Sequence, residues 1–332
     1  MKKVLVIGGS GTMGRYLCPL LAEKGYEVHA IVGEIQKEQD GIRYFFANAL
    51  DNDVLESFLK QGYDGVVDFM WYRNFALYES RYKMFLKYTS HYFVLSSYRV
   101  YADSDTALTE NSPRLAEALD PCDPWHRASG YAQNKHRMED LLLAEKDPNW
   151  TIRRPTVVYG PGRLPLLTWS KNEVLLRAWA KKKMVLPRVA LDKKTTMVWG
   201  EDVAKMIANL IFLPEAKGEI YNVATAETLT WGEVAEHYQK TFGLEIELCE
   251  TEEFFQLICG GKHSEKVQNW ANNILYYDRL YNRSVDNSKI LHATGLKNED
   301  LMPIRKGLTL AAEGILPADF AALDAFLERN QK

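Results

Sequence analysis

The first fourteen residues constrain the fold most strongly, because an apolar run leads directly into a glycine cluster. Residues 4–7 read Val-Leu-Val-Ile, which predicts a buried strand, and Gly8, Gly11 and Gly14 follow it, with leucines at helical spacing behind them. A strand, a tight turn and a helix N-terminus together present free backbone N–H groups to phosphates. We expect Gly8 to permit the turn, Gly11 to let the backbone approach a pyrophosphate, and Gly14 to let the helix pack closely. A purely structural strand–helix turn is the alternative.

The composition limits the classes of partner. The chain has 332 residues, of which 46% are hydrophobic and 26% charged, and its net charge is −3. This length accommodates roughly two domains, and the charge provides no general attraction for nucleic acid or a membrane surface. The four cysteines lack metal-ligand spacing, so we expect no metal site and reduced thiols. No leader pattern and no apolar stretch of membrane-spanning length are found, which predicts a cytoplasmic location.

Strand and helix patterns alternate through the first half of the chain. Such alternation produces right-handed βαβ units and a parallel sheet with helices on both faces. The sequence therefore predicts an α/β fold with a doubly wound parallel sheet of the NAD(P)-binding Rossmann type. After the opening strand, strands are predicted over 26–32, 42–46, 65–70, 92–96 and 150–158, and helices over 52–60 and 130–146 and through Phe75, Tyr78, Tyr82 and Phe85.

The stretch Tyr159-Gly160-Pro161-Gly162 interrupts this pattern, and we place a domain boundary there. Residues 1–160 are predicted to form the dinucleotide-binding domain, and residues 161–332 a smaller α/β region that binds the substrate. The segment 195–213, a short strand and a helix, is predicted to return to the first domain. Residues 109–127 are expected to form a long functional loop. Further elements are predicted as helices over 172–182, 231–242 and 251–281 and a strand over 220–223.

Tyr131 and Lys135 form a pair with clear chemical potential, because residues four apart share one face of a helix. A phenol has a pKa of about 10, and a neighbouring ammonium favours the phenolate and lowers that pKa. A tyrosine tuned in this way can exchange a proton with a substrate hydroxyl. The Ser97 hydroxyl, after the fifth strand, could bond the same oxygen. Each of these features alone is more typical of surface neighbours or loop chemistry, so the interpretation depends on their occurrence together.

The set of motifs resembles the extended (atypical) short-chain dehydrogenase/reductase family, in particular its NAD-dependent epimerase/dehydratase group. The resemblance extends over nearly the whole chain. The motifs that carry it are Gly8-x-x-Gly11-x-x-Gly14, Ser97-x-x-Val100-Tyr101, Tyr131-x-x-x-Lys135, Arg154-Pro155-x-x-Val158-Tyr159-Gly160-Pro161-Gly162, Glu201-Asp202-Val203-Ala204 and Tyr221-Asn222-Val223.

The resemblance implies a catalytic set of Ser97, Tyr131 and Lys135. Tyr131 would be the acid/base, Lys135 would lower its pKa and bind the nicotinamide ribose, and Ser97 would orient the substrate oxygen. The resemblance also implies a dinucleotide cofactor held by a larger group of residues. These are Gly8, Ser10, Gly11, Thr12, Met13, Gly14, Asn48, Ala49, Leu50, Phe69, Met70, Trp71, Ser96, Tyr131, Lys135 and Pro155.

Two departures from the family pattern concern the cofactor. Val32 stands at the end of the second strand, where NAD-binding members have an acid that binds the ribose hydroxyls. No arginine replaces that acid, and Glu34 would repel a 2′-phosphate, so we expect NAD, with NADP left open. Trp71 stands where the family usually has small residues. It would either narrow the nicotinamide site or fill the core.

Other departures concern the substrate. Tyr98-Arg99 follows Ser97, where 4,6-dehydratases of the family carry an Asp-Glu pair, so no acid is available there to protonate a leaving hydroxyl. Val157 stands where sugar-nucleotide enzymes often have asparagine, which argues against nucleotide-sugar recognition. Trp125 and His126 precede Tyr131 and could contact a substrate.

Two functions are compatible with these residues. The first is an NAD(P)-dependent oxidoreductase or epimerase that acts on a secondary alcohol, on a sugar or sugar-nucleotide scaffold. The second is a non-catalytic member of the same fold that senses a dinucleotide or binds RNA. The lack of a basic bias argues against a nucleic-acid partner. The resemblance further implies a homodimer formed through the helices 75–87 and 131–145.

Overall fold

The computed structural model describes residues 1–37, 39–128, 130–169 and 173–315. The described residues form twelve strands and thirteen α-helices. The strands are β1 Lys3–Ile7, β2 Glu27–Val32, β3 Ile42–Phe46, β4 Tyr63–Asp68, β5 Thr89–Leu95, β6 Trp150–Pro155, β7 Val157–Tyr159, β8 Met184–Pro187, β9 Lys194–Trp199, β10 Glu219–Val223, β11 Thr228–Thr230 and β12 Ile246–Cys249. The α-helices are α1 Gly14–Glu23, α2 Asn52–Leu59, α3 Phe75–Glu79, α4 Tyr82–Tyr88, α5 Leu115–Ala118, α6 Tyr131–Leu143, α7 Glu173–Trp179, α8 Gly200–Leu210, α9 Trp231–Phe242, α10 Thr251–Cys259, α11 Glu265–Ile274, α12 Ser288–Thr294 and α13 Ile304–Leu310.

The central sheet has seven strands in the order β10-β6-β5-β4-β1-β2-β3, and every neighbouring pair is parallel. Val4 of β1 lies between Val28 of β2 and Gly65 of β4. The chain moves outward from β1 in one direction through β3 and then in the other direction from β4. This confirms the predicted doubly wound α/β fold. It also creates a crevice at the carboxyl ends of β1 and β4, where such sheets bind ligands.

Helices cover both faces of this sheet with apolar side chains. On one face, Leu17 of α1 and Ile207 of α8 are fully buried in a cluster that also contains Ile290 of α12. On the other face, Leu55 of α2 and Met138 of α6 are buried against the sheet. Because both faces are covered, the inner strands β1, β2, β4, β5 and β6 are buried almost throughout rather than at alternate residues.

The second half of the chain is distributed between the central sheet and a smaller assembly. Helix α8, from the segment 195–213, packs against α1, and β10 pairs with β6 at the edge of the central sheet. The smaller assembly has a three-stranded sheet, β11-β9-β7, and a two-stranded sheet, β12-β8. Its core includes the buried rings of Tyr159, Trp231 and Tyr238.

Three predicted elements are wrong in their continuity. The helix predicted over 251–281 is α10, α11 and a turn of π-helix over Leu275–Arg279, and α10 ends at Gly260 in the left-handed conformation. The single strand predicted over 150–158 is two strands, because the chain leaves the central sheet after Pro155 and Val157 pairs with Met197 in the smaller sheet. Proline has no N–H group with which to continue a ladder. The single helix predicted through Phe75 and Phe85 is two short helices, α3 and α4, and Arg81 lies at the break.

The aromatic residues of α3 and α4 are used inside the chain. Tyr78 and Phe85 are fully buried, and Tyr82 is 7% exposed. These rings are therefore not available to a partner subunit, and the homodimer that the resemblance implies stays a prediction. No helix among the described residues is both long enough and apolar enough to cross a membrane.

A buried ion pair connects α6 to β6. Arg154 donates from Nε to Oε1 of Glu139 at 2.9 Å and from Nη2 to Oε2 at 2.7 Å, which is a bidentate arrangement. Arg154 and Glu139 are each 1% exposed. Nη1 of Arg154 also donates to the Tyr101 hydroxyl at 2.9 Å. The helix that carries Tyr131 is thus attached to the sheet by a fixed polar contact.

We predict that Arg154→Leu lowers the free energy of unfolding by about 3 kcal/mol or more, because it leaves the Glu139 carboxylate buried without its partner. Arg305→Leu is the matched control, since the Arg305–Glu233 pair is about half exposed and should contribute at most about 1 kcal/mol. Urea unfolding followed by tryptophan fluorescence measures both changes. Equal, small losses in the two variants would contradict the prediction.

Candidate active site

The glycine turn after β1 has the geometry that the sequence predicts. Gly8 has φ +85°, in the region that favours glycine, and the N–H groups of Gly8 and Gly9 both donate to Ile31 O, at 2.9 and 3.2 Å. A Cβ on Gly14 would overlap the carbonyl oxygen of Gly8 and lie 2.7 Å from Cα of Gly9. The first turn of α1 is therefore held directly against the end of β1.

Two further glycines, Gly9 and Gly200, also allow neighbouring elements to approach closely. Neither was identified from the sequence as a close contact. A Cβ on Gly9 would lie 2.7 Å from Cβ of Ala30 in β2. A Cβ on Gly200, the first residue of α8, would lie 2.5 Å from the carbonyl oxygen of Thr12. The two adjacent glycines at positions 8 and 9 were the sequence signal that could have identified Gly9. Nothing near Gly200 indicates which element it approaches.

The turn fits the phosphates of a dinucleotide. It combines a backbone cradle, which a Cβ on Gly9 or Gly14 would disturb, with the positive dipole end of α1. It also lies at the crevice between β1 and β4. Ser10, Thr12 and Met13 are half-buried around it, and Gly11 is exposed.

The loop after β3 is the predicted adenine side of the site. Oδ1 of Asn48 accepts the N–H of Leu50 at 3.1 Å, which closes a turn around the buried Ala49. Arg81, which is fully buried, donates to Ala49 O at 2.8 Å and to Leu50 O at 2.6 Å. Arg81 thus shapes the loop, although it lies about thirty residues away and gave no signal in the sequence. Val32, at the end of β2, is 2% exposed.

Ser97, Tyr131 and Lys135 come together at the carboxyl end of β5, as predicted. Tyr131 begins α6, and the Nζ of Lys135 lies 5.6 Å from the centre of its ring. Lys135 is 1% exposed and donates from Nζ to Leu95 O. Ser97 Oγ accepts the N–H of Arg99 at 3.3 Å, and the Ser97 side chain acts on the Tyr131 hydroxyl in the direction that lowers its pKa.

The expected direction of the Tyr131 pKa is wrong for this structure. Burial raises the pKa of Tyr131, while the hydrogen bond with Ser97 and the charges of Arg99 and Arg163 oppose that increase. Burial also lowers the pKa of Lys135 to about 8.

Asp68 supports this region and was not identified from the sequence. It ends β4, is 1% exposed, and accepts from Tyr72 Oη at 2.7 Å, Tyr92 Oη at 3.0 Å and Met70 N at 2.8 Å. Burial raises the pKa of its carboxyl group. A carboxylate directly after the apolar residues Val66 and Val67 was the sequence signal that could have identified Asp68.

Trp71 does not fill the core. Its side chain is 51% exposed, and its ring meets the ring of Tyr131 edge to face at 6.1 Å. The guanidinium of Arg73 lies 4.6 Å from the Trp71 ring. Phe69 and Met70 before it are half-buried. Trp71 therefore borders the open side of Tyr131, and the core-filling alternative is wrong.

Ser96 and Pro155 are buried at the carboxyl ends of β5 and β6, and their contact with a cofactor stays a prediction. The Ser96 hydroxyl donates to Oε1 of Glu139 at 2.5 Å, so this hydroxyl is not available to a cofactor. Pro155 is buried at the end of β6, beside β10. Val157 is 7% exposed in the apolar core and supplies no polar contact.

The predicted long loop is largely ordered against the rest of the chain. It contains α5 and a turn of 3₁₀-helix over Pro124–His126. Trp125 is 3% exposed, so it cannot stack broadly on a substrate, and His126 is half-buried. Trp125 forms one wall of a cavity of about 240 Å³, which Asn269 and Tyr277 border from the other side.

We predict that Gly200→Ala weakens NAD binding about tenfold or more, because the added Cβ would displace the Thr12 carbonyl and with it the glycine turn. Isothermal titration calorimetry with NAD measures the change. Gly33→Ala adds the same methyl group where nothing lies within 4 Å, and it should retain wild-type thermal stability. Wild-type NAD affinity in Gly200→Ala would contradict the proposed contact.

We predict a pH-dependent stability that originates in Lys135, whose pKa of about 8 lies below the usual pKa of a free lysine. Between these two values the unfolded state binds more protons, so stability rises with pH. From about pH 7.5 to about pH 9.5, the wild type should gain about 2 kcal/mol relative to Lys135→Met in urea unfolding.

Lys262→Met is the control for that measurement, since Lys262 is exposed. Its stability relative to wild type should be the same at both pH values. A Lys135→Met variant that follows the wild type across this range would show that Lys135 stays charged on folding.

Two known proteins are similar to this chain in sequence. The spore coat polysaccharide biosynthesis protein SpsK of Bacillus subtilis is 26% identical over 264 residues, which cover 76% of this chain and 85% of that protein. The chloroplast stem-loop binding protein of 41 kDa b of Arabidopsis thaliana is 26% identical over 259 residues, which cover 73% of this chain and 64% of that protein.

The fold is shared with solved enzymes. The UDP-glucuronic acid 4-epimerase of Bacillus cereus, solved with UDP-glucuronic acid and NAD, superposes with a TM-score of 0.66 at 15% identity and covers 93% of this chain and 97% of that one. At the level of sequence, residues 4–224, more than half of the chain, match a family that is described as NAD dependent epimerase/dehydratase. The chain therefore belongs to the NAD-dependent epimerase/dehydratase family.

Proposed function

We propose that this protein is an NAD-dependent epimerase or oxidoreductase that acts on a secondary alcohol of a sugar nucleotide, with Tyr131 as the acid/base. The observation that carries this proposal is the convergence of Ser97, Tyr131 and Lys135 at the carboxyl end of β5, beside the crevice at the glycine turn. The family membership and the sugar-nucleotide enzymes that share the fold support it.

The glycine turn would hold the NAD phosphates, the loop Asn48–Leu50 the adenine, and Lys135 the nicotinamide ribose. Bound NAD supplies an acceptor and donor of hydride at the substrate carbon. Tyr131 stays protonated in the free protein because burial raises its pKa, so it is prepared to donate a proton to a keto oxygen. Its action as a base depends on the Ser97 hydrogen bond and the positive charges around it, which favour the phenolate.

The residues at and after the end of β2 favour NAD over NADP as the cofactor. Val32 is buried there and Glu34 is exposed beyond it, so a 2′-phosphate would meet a carboxylate and no cation from this strand. The Bacillus cereus enzyme that shares the fold was solved with NAD.

Dehydration is disfavoured by the residues after Ser97. The Tyr98 hydroxyl lies 3.4 Å from the Asp278 carboxylate, and Arg99 lies 3.0 Å from the same carboxylate. Arginine charges hold the pKa of Asp278 below its usual value although the group is buried, so Asp278 cannot act as a carboxylic acid near neutral pH. Epimerisation and simple oxidation or reduction both remain, because they use the same proton and hydride transfers.

We predict that Tyr131→Phe lowers kcat about 100-fold or more on any UDP-sugar or dTDP-sugar that the wild type converts, while NAD affinity changes little. Turnover is followed by product analysis and NADH absorbance, and NAD binding by calorimetry. Tyr44→Phe is the matched control, since among the described residues the Tyr44 hydroxyl bonds only the exposed Gln39, at 3.3 Å, and its kcat should equal that of wild type.

The alternative function is a non-catalytic protein that senses a dinucleotide or binds RNA. The similarity to a stem-loop binding protein favours it, and the net charge of −3 opposes it. Full turnover by Tyr131→Phe would exclude the proposed mechanism. Tight, salt-dependent RNA binding without NAD affinity would support the alternative.

A further inference from the structure

A cluster of arginines lies on the substrate side of Tyr131, and it is built around one carboxylate. Asp278, in a turn of π-helix over Leu275–Arg279, is fully buried. Its Oδ2 lies 3.0 Å from Arg99 Nε and 2.5 Å from Arg279 Nη1, and its Oδ1 lies 3.5 Å from Arg283 Nε. Three guanidinium groups thus share a single negative charge.

The side chains in this cluster are mostly withdrawn from water. The side chains of Arg99, Arg279 and Arg283 are 13%, 12% and 3% exposed. Asp103, which is exposed, adds a negative charge near Arg283. The Arg99 and Arg279 end therefore retains an excess of positive charge that neighbouring acids do not balance.

Several donors of these arginines are not used by the protein. Arg99 uses Nη2 to bond Asn273 O at 2.8 Å, and Arg279 uses Nε to bond Leu167 O at 2.7 Å. Within the described part of the chain, Nη1 of Arg99 and Nη2 of Arg279 have no acceptor. Because both arginines contact the same oxygen of Asp278, their guanidinium groups are neighbours.

The cluster borders the reacting group. The guanidinium of Arg99 lies 5.2 Å from the centre of the Tyr131 ring. Arg163 follows the turn after β7, is exposed, and its side chain has no hydrogen bond or ion pair to another described residue. The charges of Arg99 and Arg163 both act on the Tyr131 hydroxyl. An anion bound here would lie beside the substrate hydroxyl with which Tyr131 exchanges a proton.

We propose that the substrate carries a carboxylate on the carbon next to the reacting carbon, and that Arg99, Arg163 and Arg279 bind this carboxylate. The inference rests on the proposed function and specifies its substrate class as a hexuronate. Guanidinium groups suit this task because they present paired N–H donors to the two oxygens of a carboxylate. Bound in this way, the acid group fixes the neighbouring hydroxyl against Tyr131 and balances the excess charge.

The test compares two matched ligands that differ at this group, UDP-glucuronate and UDP-glucose, in calorimetric titrations of the full chain with NAD present. We expect wild-type protein to bind UDP-glucuronate at least about tenfold more tightly, as charged hydrogen bonds contribute. Arg163→Gln should reduce this preference to about threefold or less without changing UDP-glucose affinity. Arg43→Gln, an exposed arginine on β3, should leave the preference unchanged.

The outcomes separate this inference from the proposed function. Equal affinity for the two UDP-sugars would overturn the carboxylate site while leaving a sugar-nucleotide enzyme in place. An unchanged preference in Arg163→Gln and in Arg99→Gln would also overturn it, and the folding of both variants is checked by thermal unfolding. If neither UDP-sugar binds, free glucuronate and glucose are compared by ligand-observed NMR, and absence of a preference for the acid overturns the inference.

Discussion

Backbone groups at the glycine turn approach one another more closely than any side chain would permit, and the positions of sheet and helices depend on this contact. Gly14 rests on Gly8 at the end of β1, and Gly200 rests on the turn from α8. Strand, first helix and a helix from the second half of the chain thus meet at one point. The same closeness leaves a backbone-lined surface on which phosphates can lie.

Burial of charge is the second organising constraint of the site. Each buried ionic group is paired or hydrogen-bonded, as with Glu139 on Arg154 and Asp68 beneath its tyrosines, because an unpaired buried charge is strongly destabilising. These pairs fix α6 and the end of β4 around Tyr131. The Asp278 cluster differs, since it holds more positive than negative charge, and its Arg99 lies beside the ring of Tyr131.

Local patterns predicted much of the fold and part of the site. The opening strand, the glycine turn and α9 lie where the sequence places them, because each depends on residues adjacent in the chain. Spacing along one helix also placed Tyr131 near Lys135. The direction of the Tyr131 pKa was not predictable in this way, since burial in the tertiary structure outweighs the nearby charges.

The sequence by itself determined the parallel α/β architecture and the glycine turn after the first strand, because hydrophobic periodicity and glycine spacing act over short distances. Only the tertiary structure brings Arg81 into contact with a loop about thirty residues away. It also brings three arginines into contact with Asp278. It also decided that Trp71 would stand open beside Tyr131. These contacts join residues that are distant in the chain, and their energies come from burial and geometry that exist only after the chain has folded.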